Sequence, residues 1–222
     1  MATIKEMLAA KMAKRGQIDE ILPYIFLGNG YSASKLEELK AKGITHIMNV
    51  ADDVKNFHPG KFTYINLSVA DFGADKGISR VFPQAIAEAK KLEEGKKGKV
   101  YVHCAAGMNR SPTVVLALLM ALHGMTLREA YGHVLSRRRI CPFKDNRKEI
   151  VKYEKEFTGK NTLDVDSFTP SKFRALLKEE KRKNKKQEGS SSASQASTGQ
   201  PSQNGSRDNH TDFPPLPSSS AS

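Results

Sequence analysis

The 222-residue chain contains no tryptophan and only two cysteines, Cys104 and Cys141. Two cysteines make no disulfide framework, so a hydrophobic core has to hold the fold, as expected of a reducing compartment inside the cell. No apolar stretch is long enough to span a bilayer or to act as a secretory signal. Ala2 excludes myristoylation, and the closing Ser-Ala-Ser is no prenylation box. The six histidines show no metal-ligand spacing and there is no paired-cysteine motif, so neither a metal nor a cofactor is expected. "GKKGK" at 95–99 lacks the Walker pattern and reads as a solvated turn. The opening "MATIKEMLAAKMAKRG" is basic and weakly amphipathic, as a mitochondrial presequence would be, but it is poor in Ser and Arg, and it reads instead as a helical extension over 1–17.

Hydrophobic residues make up 38% of the chain, enough for a core but unevenly spread. From Gln187 to Ser222 the composition is dominated by Ser, Gln, Gly, Pro and Asn. Such a segment cannot offset its own ordering entropy and is expected to be disordered. Residues 161–222 therefore read as a basic and then Ser/Gln/Pro-rich tail, mostly without fixed structure. The formal net charge is +12; from Ser171 onward 9 Lys and Arg face 5 Asp and Glu, and the remainder carries 27 against 19. The folded part is basic in its own right, which favours anionic partners: phosphorylated proteins, nucleic acid or an acidic membrane surface.

Along the chain, "IDEILPYIFLGN" reads as two short strands broken at Pro23, and "SASKLEELKAKG" as a Ser-capped helix ending at Gly43. "ITHIMNVA", "FTYINLSV" and "KVYVHC" are strands. Residues 77–94 look helical, with Pro83 tolerable near the first turn. The unbroken apolar run from Val114 to Leu122 predicts a helix buried on all sides. Two further helices follow, with Thr126 and Asp145 as N-caps. Alternating strands and helices indicate an α/β sheet covered on both faces.

The chemistry concentrates in "VYVHCAAGMNRSPT", residues 100–113, which runs from strand through tight loop into the buried helix. Such a loop aims successive backbone N–H groups at one point, and the helix dipole adds positive potential there. Gly107 permits the backbone angle that curls the loop, and Pro112 suits the first helical turn. Arg110 supplies a planar fork matching two phosphate oxygens. Cys104 thus sits at the centre of a phosphate cradle, in a setting that favours the nucleophilic thiolate. A core thiol would need none of these neighbours.

His, Cys, five residues, Arg and then Ser or Thr resembles the signature of cysteine-dependent protein phosphatases, and most closely the small atypical dual-specificity phosphatases. "YIFLGN", "GITHIMNV", "HCAAGMNRSPT" and the closing "VLSRRRICP…YE" follow the family's order across Ile18 to Phe157. The resemblance implies a catalytic domain over 18–160 with a central mixed, largely parallel sheet flanked by helices on both faces. It implies that Cys104 attacks phosphorus and carries a phosphocysteine intermediate. Arg110 and the amides of Ala105, Ala106, Gly107, Met108, Asn109 and Arg110 would hold the phosphoryl oxygens. Ser111 would help the thiolate leave, and His103 would orient the loop and tune the thiol. The family's general acid is an Asp on a loop upstream. Asp71, 33 positions before Cys104 and directly after a strand, is preferred; Asp75 on the same loop competes. Gly73 and Gly77 suggest that this loop closes over substrate.

The loop's variable positions Ala105, Ala106, Met108 and Asn109 carry no charge, whereas relatives acting on inositol lipids place lysines there. Phosphorylated protein is therefore the expected substrate, phosphotyrosine and phosphoserine or phosphothreonine alike. Relatives that act on RNA 5′ ends share the Asn109–Arg110 pair, but place a histidine where this chain has Ala106, so RNA is the runner-up. A binding module with secondary catalysis is a third reading. Arg137, Arg138 and Arg139 read as a solvated helix end or a border of the substrate groove, and Cys141 as structural. "KEEKRKNKK" at 178–186 is either a solvated helix end or a nuclear-import or RNA-contact patch. Phe213, Pro214, Pro215 and Leu216 form an apolar island in the tail, suggesting a docking motif. The compartment implied is cytoplasmic, nuclear or both.

Overall fold

β-Branched and aromatic residues between turn signals build five strands: β1 (Asp19–Leu22), β2 (Ile25–Asn29), β3 (His46–Ala51), β4 (Thr63–Val69) and β5 (Val100–Cys104). This is a computed structural model, and it describes residues 17–71, 76–95 and 98–191, with side chains through Lys183. The extension read over 1–17 (apart from Gln17), the competing acid Asp75 and the tail island at Phe213, Pro214, Pro215 and Leu216 lie outside the described residues. The strands form one sheet in the order β1-β2-β5-β3-β4. Only the β1–β2 pair is antiparallel; β2–β5, β5–β3 and β3–β4 are parallel. The mixed, largely parallel sheet expected from the sequence is present.

The inner strands β2, β3 and β5 are buried at nearly every position because both faces are covered, whereas edge strand β4 alternates buried and exposed residues. Phe26, Ile47 and Tyr101 turn to one face, against Ala33 and Leu39 from the short helices α1 (Gly30–Ala33) and α2 (Leu36–Ala41). Leu27, Met48 and Val102 turn to the other, against α3 (Phe82–Gly95), α4 (Arg110–His123), α5 (Leu127–Arg137) and α6 (Lys144–Thr158). Helix α4 is the apolar run; it is buried continuously from Arg110 to Met120 and ends at Gly124, whose φ is 61°.

Helix starts separate correct local readings from incorrect ones. Thr126 caps α5 through a complete capping box with Glu129. Asp145 does not cap α6: it lies in the first turn, and Phe143 holds the cap position. The "SASKLEELKAKG" helix is split in two, with Asn29 capping α1 and Lys35 at the start of α2, so no serine caps it. The compact unit carrying the sheet continues to Lys178, past the boundary read at residue 160. The reason is apolar: Leu163, Phe168 and Phe173 are buried, and both phenylalanines pack edge-on against Tyr131. Helix α7 (Pro170–Ser191) closes the described part of the chain.

Candidate active site

Parallel strands β5, β3 and β4 end on the same side of the sheet, and their C-terminal ends deliver the reactive side chains, as is usual for such sheets. Strand β5 ends at Cys104 and α4 begins at Arg110, with the loop 105–109 between them. Gly107 turns this loop with φ of 64°, and a Cβ there would lie 2.3 Å from the Gly28 carbonyl oxygen. No other residue fits against that backbone.

The loop's carbonyl groups are tied outward. Ala105 O accepts from the Gly30 N–H at 3.1 Å, and Met108 O from the Cys141 N–H at 2.9 Å. Gly107 O accepts from Arg138 Nε at 2.9 Å. Because a trans peptide sets N–H opposite to C=O, the amides of Ala106, Met108 and Asn109 are turned the other way. The Gly107 N–H donates to Cys104 Sγ at 3.3 Å, and Ser111 Oγ–H donates to the same sulfur at 3.3 Å. Donors and a helix N-terminus converge on one buried sulfur at the centre of the loop.

Arg110 is 1% exposed, and carboxylates surround it. Its Nη1 donates to Asp53 Oδ1 at 2.7 Å and to the Val69 carbonyl at 2.9 Å, with Asp52 Oδ1 at 3.5 Å. Its Nη2 lies 3.1 Å from Asp71 Oδ2. Burial opposes the guanidinium charge, but the Asp53 hydrogen bond with the fields of Cys104 and Asp71 outweighs it and holds the Arg110 pKa above its ordinary value. The structure thus brings Cys104, Arg110, Ser111 and Asp71 together at one end of the sheet.

Asn109 does more than its position in the loop suggested. Its Oδ1 accepts from the Phe143 N–H at 2.7 Å and from Asn146 Nδ2 at 2.8 Å. That leaves its Nδ2 as the donor to Asp71 Oδ1, at 2.8 Å. Helix α6 is in this way connected to the Asp71 carboxylate. A cavity of about 460 Å³ adjoins, lined by Asp71, Asn109, Phe143, Asn146 and Glu149 among others.

On the opposite flank the three consecutive arginines divide their work. Arg138 is structural: besides Gly107 it holds Asp19 Oδ2 at 2.7 Å and the Gln17 carbonyl at 3.1 Å. Arg137 and Arg139 are exposed and, with Ala106 and Met108, line a cavity of about 310 Å³. His103, read from the sequence as orienting the loop and tuning the thiol, lies directly under the loop. Its ring is buried and stacks on Tyr101 at 5.6 Å between centroids, with the Cys104 backbone beside it. Burial lowers its pKa to about 4, so the ring is neutral at physiological pH.

Reading the sequence alone missed Asp52, Asp53, Asn146 and the side-chain role of Asn109. One signal was available: "ADD" closes β3 just as "VAD" closes β4, and acids at the carboxyl ends of parallel strands face the site. Asn146 and Asn109 had none, since both act across elements distant in sequence.

A buried thiol in an amide loop, with an arginine, a hydroxyl and a carboxylate around it, defines the class of cysteine-dependent phosphatases. Comparison with known proteins carries this further. Residues 25–156 match the dual specificity phosphatase catalytic domain model. Human dual specificity protein phosphatase 14 is 34% identical over 164 residues, which is 72% of this chain and 81% of that protein. Human dual specificity protein phosphatase 1 is 39% identical over 121 residues, covering 54% of this chain and 32% of the relative. Among solved structures, the human tyrosine phosphatase-like serine/threonine/tyrosine-interacting protein superposes with a TM-score of 0.58 at 36% identity. That match covers 64% of this chain and 99% of the other. The chain belongs to the dual specificity phosphatase family and is a protein phosphatase of its small, atypical kind. Hydrolysis through a phosphocysteine is general to that family. Among the described residues, no helix is long and apolar enough to cross a membrane.

Proposed function

We propose that Cys104 is the nucleophile of a phosphoprotein phosphatase, Arg110 its phosphate clamp, Asp71 its general acid and Ser111 the group that eases the second step. In the first step the Cys104 thiolate attacks phosphorus as the bond to the protein's oxygen breaks. The Asp71 carboxyl proton passes to that leaving oxygen. Arg110 and the amides from Ala105 to Arg110 hold the equatorial oxygens through the transition state. In the second step water attacks phosphorus, returns a proton to Asp71 and displaces the thiolate. The Ser111 hydroxyl stabilises the departing sulfur.

The observation that carries this reading is the pair of donors on one sulfur, Gly107 N–H and Ser111 Oγ–H, beside a buried arginine. Asp71 is favoured as the acid because it lies against both Arg110 and Asn109. The RNA 5′-end alternative rested on the basic charge of domain and tail and on the Asn109–Arg110 pair; here the Asn109 side chain is engaged by Asp71, Phe143 and Asn146. That accounts for the asparagine without an RNA. Uncombined thiols at Cys104 and Cys141 suit a cytoplasmic or nuclear location. Docking of a further partner through Phe213, Pro214, Pro215 and Leu216 is a reading of the sequence alone.

The decisive test is Cys104→Ser assayed on an aryl phosphate and a phosphopeptide. A hydroxyl here stays protonated, so turnover is expected to disappear while the substrate still binds. Retention of more than a few per cent of the activity would overturn the mechanism.

A further inference from the structure

Arg110 is held at Nη1, and the residue doing most of the holding there, Asp53, has no role in the scheme above. A guanidinium carries five N–H donors. Two of them, on Nη1, are taken by Asp53 Oδ1 at 2.7 Å and the Val69 carbonyl at 2.9 Å. Nη2 faces Asp71. Nε is buried and has no hydrogen-bond partner in the protein. Nε–H and one Nη2–H lie side by side on the edge of the guanidinium away from Nη1. Two parallel N–H groups there form the fork that grips two oxygens of one phosphoryl group.

The backbone is shaped to make the other half of this grip. Between Asn49–Asn66 and Ala51–Val69 the pairing of β3 with β4 gains one residue on the β4 side, a bulge centred on Ser68. Ser68 is the one non-glycine residue with positive φ, 49°, among the described residues. Bulges of this kind gather beside active sites and re-aim the groups that follow them. Here the group re-aimed is the Val69 carbonyl, which meets Arg110 Nη1. Arg80 Nη2 holds the Ser68 carbonyl at 2.8 Å and so secures the bulge. A strained turn has been kept where a flat strand would have left Nη1 with one acceptor fewer.

We propose that Asp53 is a positioning residue: with the Val69 carbonyl it anchors Nη1 of Arg110 and so presents the Nε–Nη2 edge to the substrate phosphate. The inference rests on the reading of Arg110 as the phosphate clamp. Asp53 is 57% exposed in its side chain, whereas Arg110 is 1% exposed. Asp53 thus reaches the buried guanidinium from the solvent side, at the Nη1 end. The Arg110 hydrogen bond also holds the Asp53 carboxyl below its usual pKa, so it stays ionised through the working pH range. Two effects of opposite sign would follow its removal. Loss of a negative charge near the cradle would strengthen phosphate binding, but this acts from an exposed group on the far edge and is screened by water and salt. Loss of the anchor lets the fork rotate, which weakens both phosphate binding and the transition state. The second effect is expected to win. Asp52, at 3.5 Å from the same nitrogen, is too far to replace it.

The test titrates inorganic phosphate into wild type, Asp53→Ala, Asp53→Asn and Asp52→Ala by calorimetry, alongside aryl phosphate kinetics and melting temperature. Removing this charge-assisted contact in Asp53→Ala should weaken phosphate binding by about tenfold and lower kcat as well as kcat/KM. The melting temperature should stay near wild type, since the lost side chain is exposed. Asp53→Asn, which keeps an acceptor for Nη1, should recover part of the loss, and Asp52→Ala should change phosphate affinity less than threefold. Tighter phosphate binding in Asp53→Ala would make Asp53 a competitor of the substrate and overturn the proposal. Unchanged binding would make it a bystander and overturn it equally. Should Asp53→Ala fail to fold, Asp53→Asn decides by the same comparison, with weaker phosphate binding expected and unchanged or tighter binding overturning the proposal. Because phosphate binding is read without turnover, an inactive wild type that binds phosphate would sink the catalytic reading and leave this one standing or falling on its own titration.

Discussion

Two halves of the site are built in opposite ways. The cradle from Cys104 to Ser111 is contiguous in sequence, bracketed by a strand and a helix, and fixed through backbone: its carbonyls are tied by Gly30, Arg138 and Cys141. The carboxylate half consists of Asp52 and Asp53 after β3 and Asp71 after β4, and it meets the cradle at the side chains of Arg110 and Asn109. The difference teaches where damage should show. Changes in the carboxylate half ought to alter chemistry and leave the fold intact, because those groups are partly exposed and bury little apolar surface. Changes under the cradle ought to register in stability, because the loop is continuous with the core.

The largest effect that separates the halves is expected from Asp71→Asn. Protonating the leaving oxygen matters for an alkyl phosphoserine or phosphothreonine and for phosphotyrosine, and little for an activated aryl ester whose leaving group is already a stable anion. Turnover on phosphopeptides should fall by ~10², the lower range for general acid catalysis. The activated ester should lose far less, and the melting temperature should hold. Asp75→Asn should do neither; if it behaves as described for Asp71 instead, the acid is Asp75.

Next comes His103, under the cradle. Its folded pKa of about 4 lies below the ordinary value of 6.5, so its neutral form is favoured by folding. The stability it confers is fully present above pH 6.5 and is lost as pH falls toward 4. Between pH 7 and pH 5 the loss amounts to about 2 kcal/mol, since protonating the unfolded ring gains roughly 1.4 kcal/mol for every pH unit below its ordinary pKa. Chemical denaturation at the two pH values should show that loss in wild type and a much smaller one in His103→Gln. Equal losses in both would move the acid sensitivity to another group.

The smallest effect lies outside both halves. Thr126 accepts from the Glu129 N–H and its own N–H is answered by the Glu129 carboxylate at 2.8 Å, closing the start of α5. Thr126→Ala should cost ~1 kcal/mol, the usual worth of an N-cap, with kcat and KM unchanged. A change in kcat would mean that α5 transmits to the cradle through Arg138 beyond its C-terminal end.

Sequence by itself determined whatever depends on neighbours in the chain. Period and turn chemistry marked β5, the all-round apolar α4 and the Thr126 cap. The cradle was legible because glycine, arginine and serine stand at short, fixed distances from Cys104, on one continuous segment whose backbone does the binding. Asp71 was legible as one of two acids on a loop, and no more. Tertiary structure alone decided the rest. Asn109 and Asn146 lie 37 residues apart, and their contact exists only because α6 packs beside the loop. The middle arginine, Arg138, became structural because β1 brings Asp19 to it, while Arg137 and Arg139 stayed in solvent. Leu163, Phe168 and Phe173 joined the core against a composition that looked like the start of a tail, since Tyr131 offers them a face to bury. The Ser68 bulge has no sequence mark, because serine is not a residue that signals positive φ and the bulge follows from the register of β4 against β3. Which carboxylate holds the arginine, and by which edge, is a matter of where three strand ends arrive in space, and spacing along the chain does not encode it.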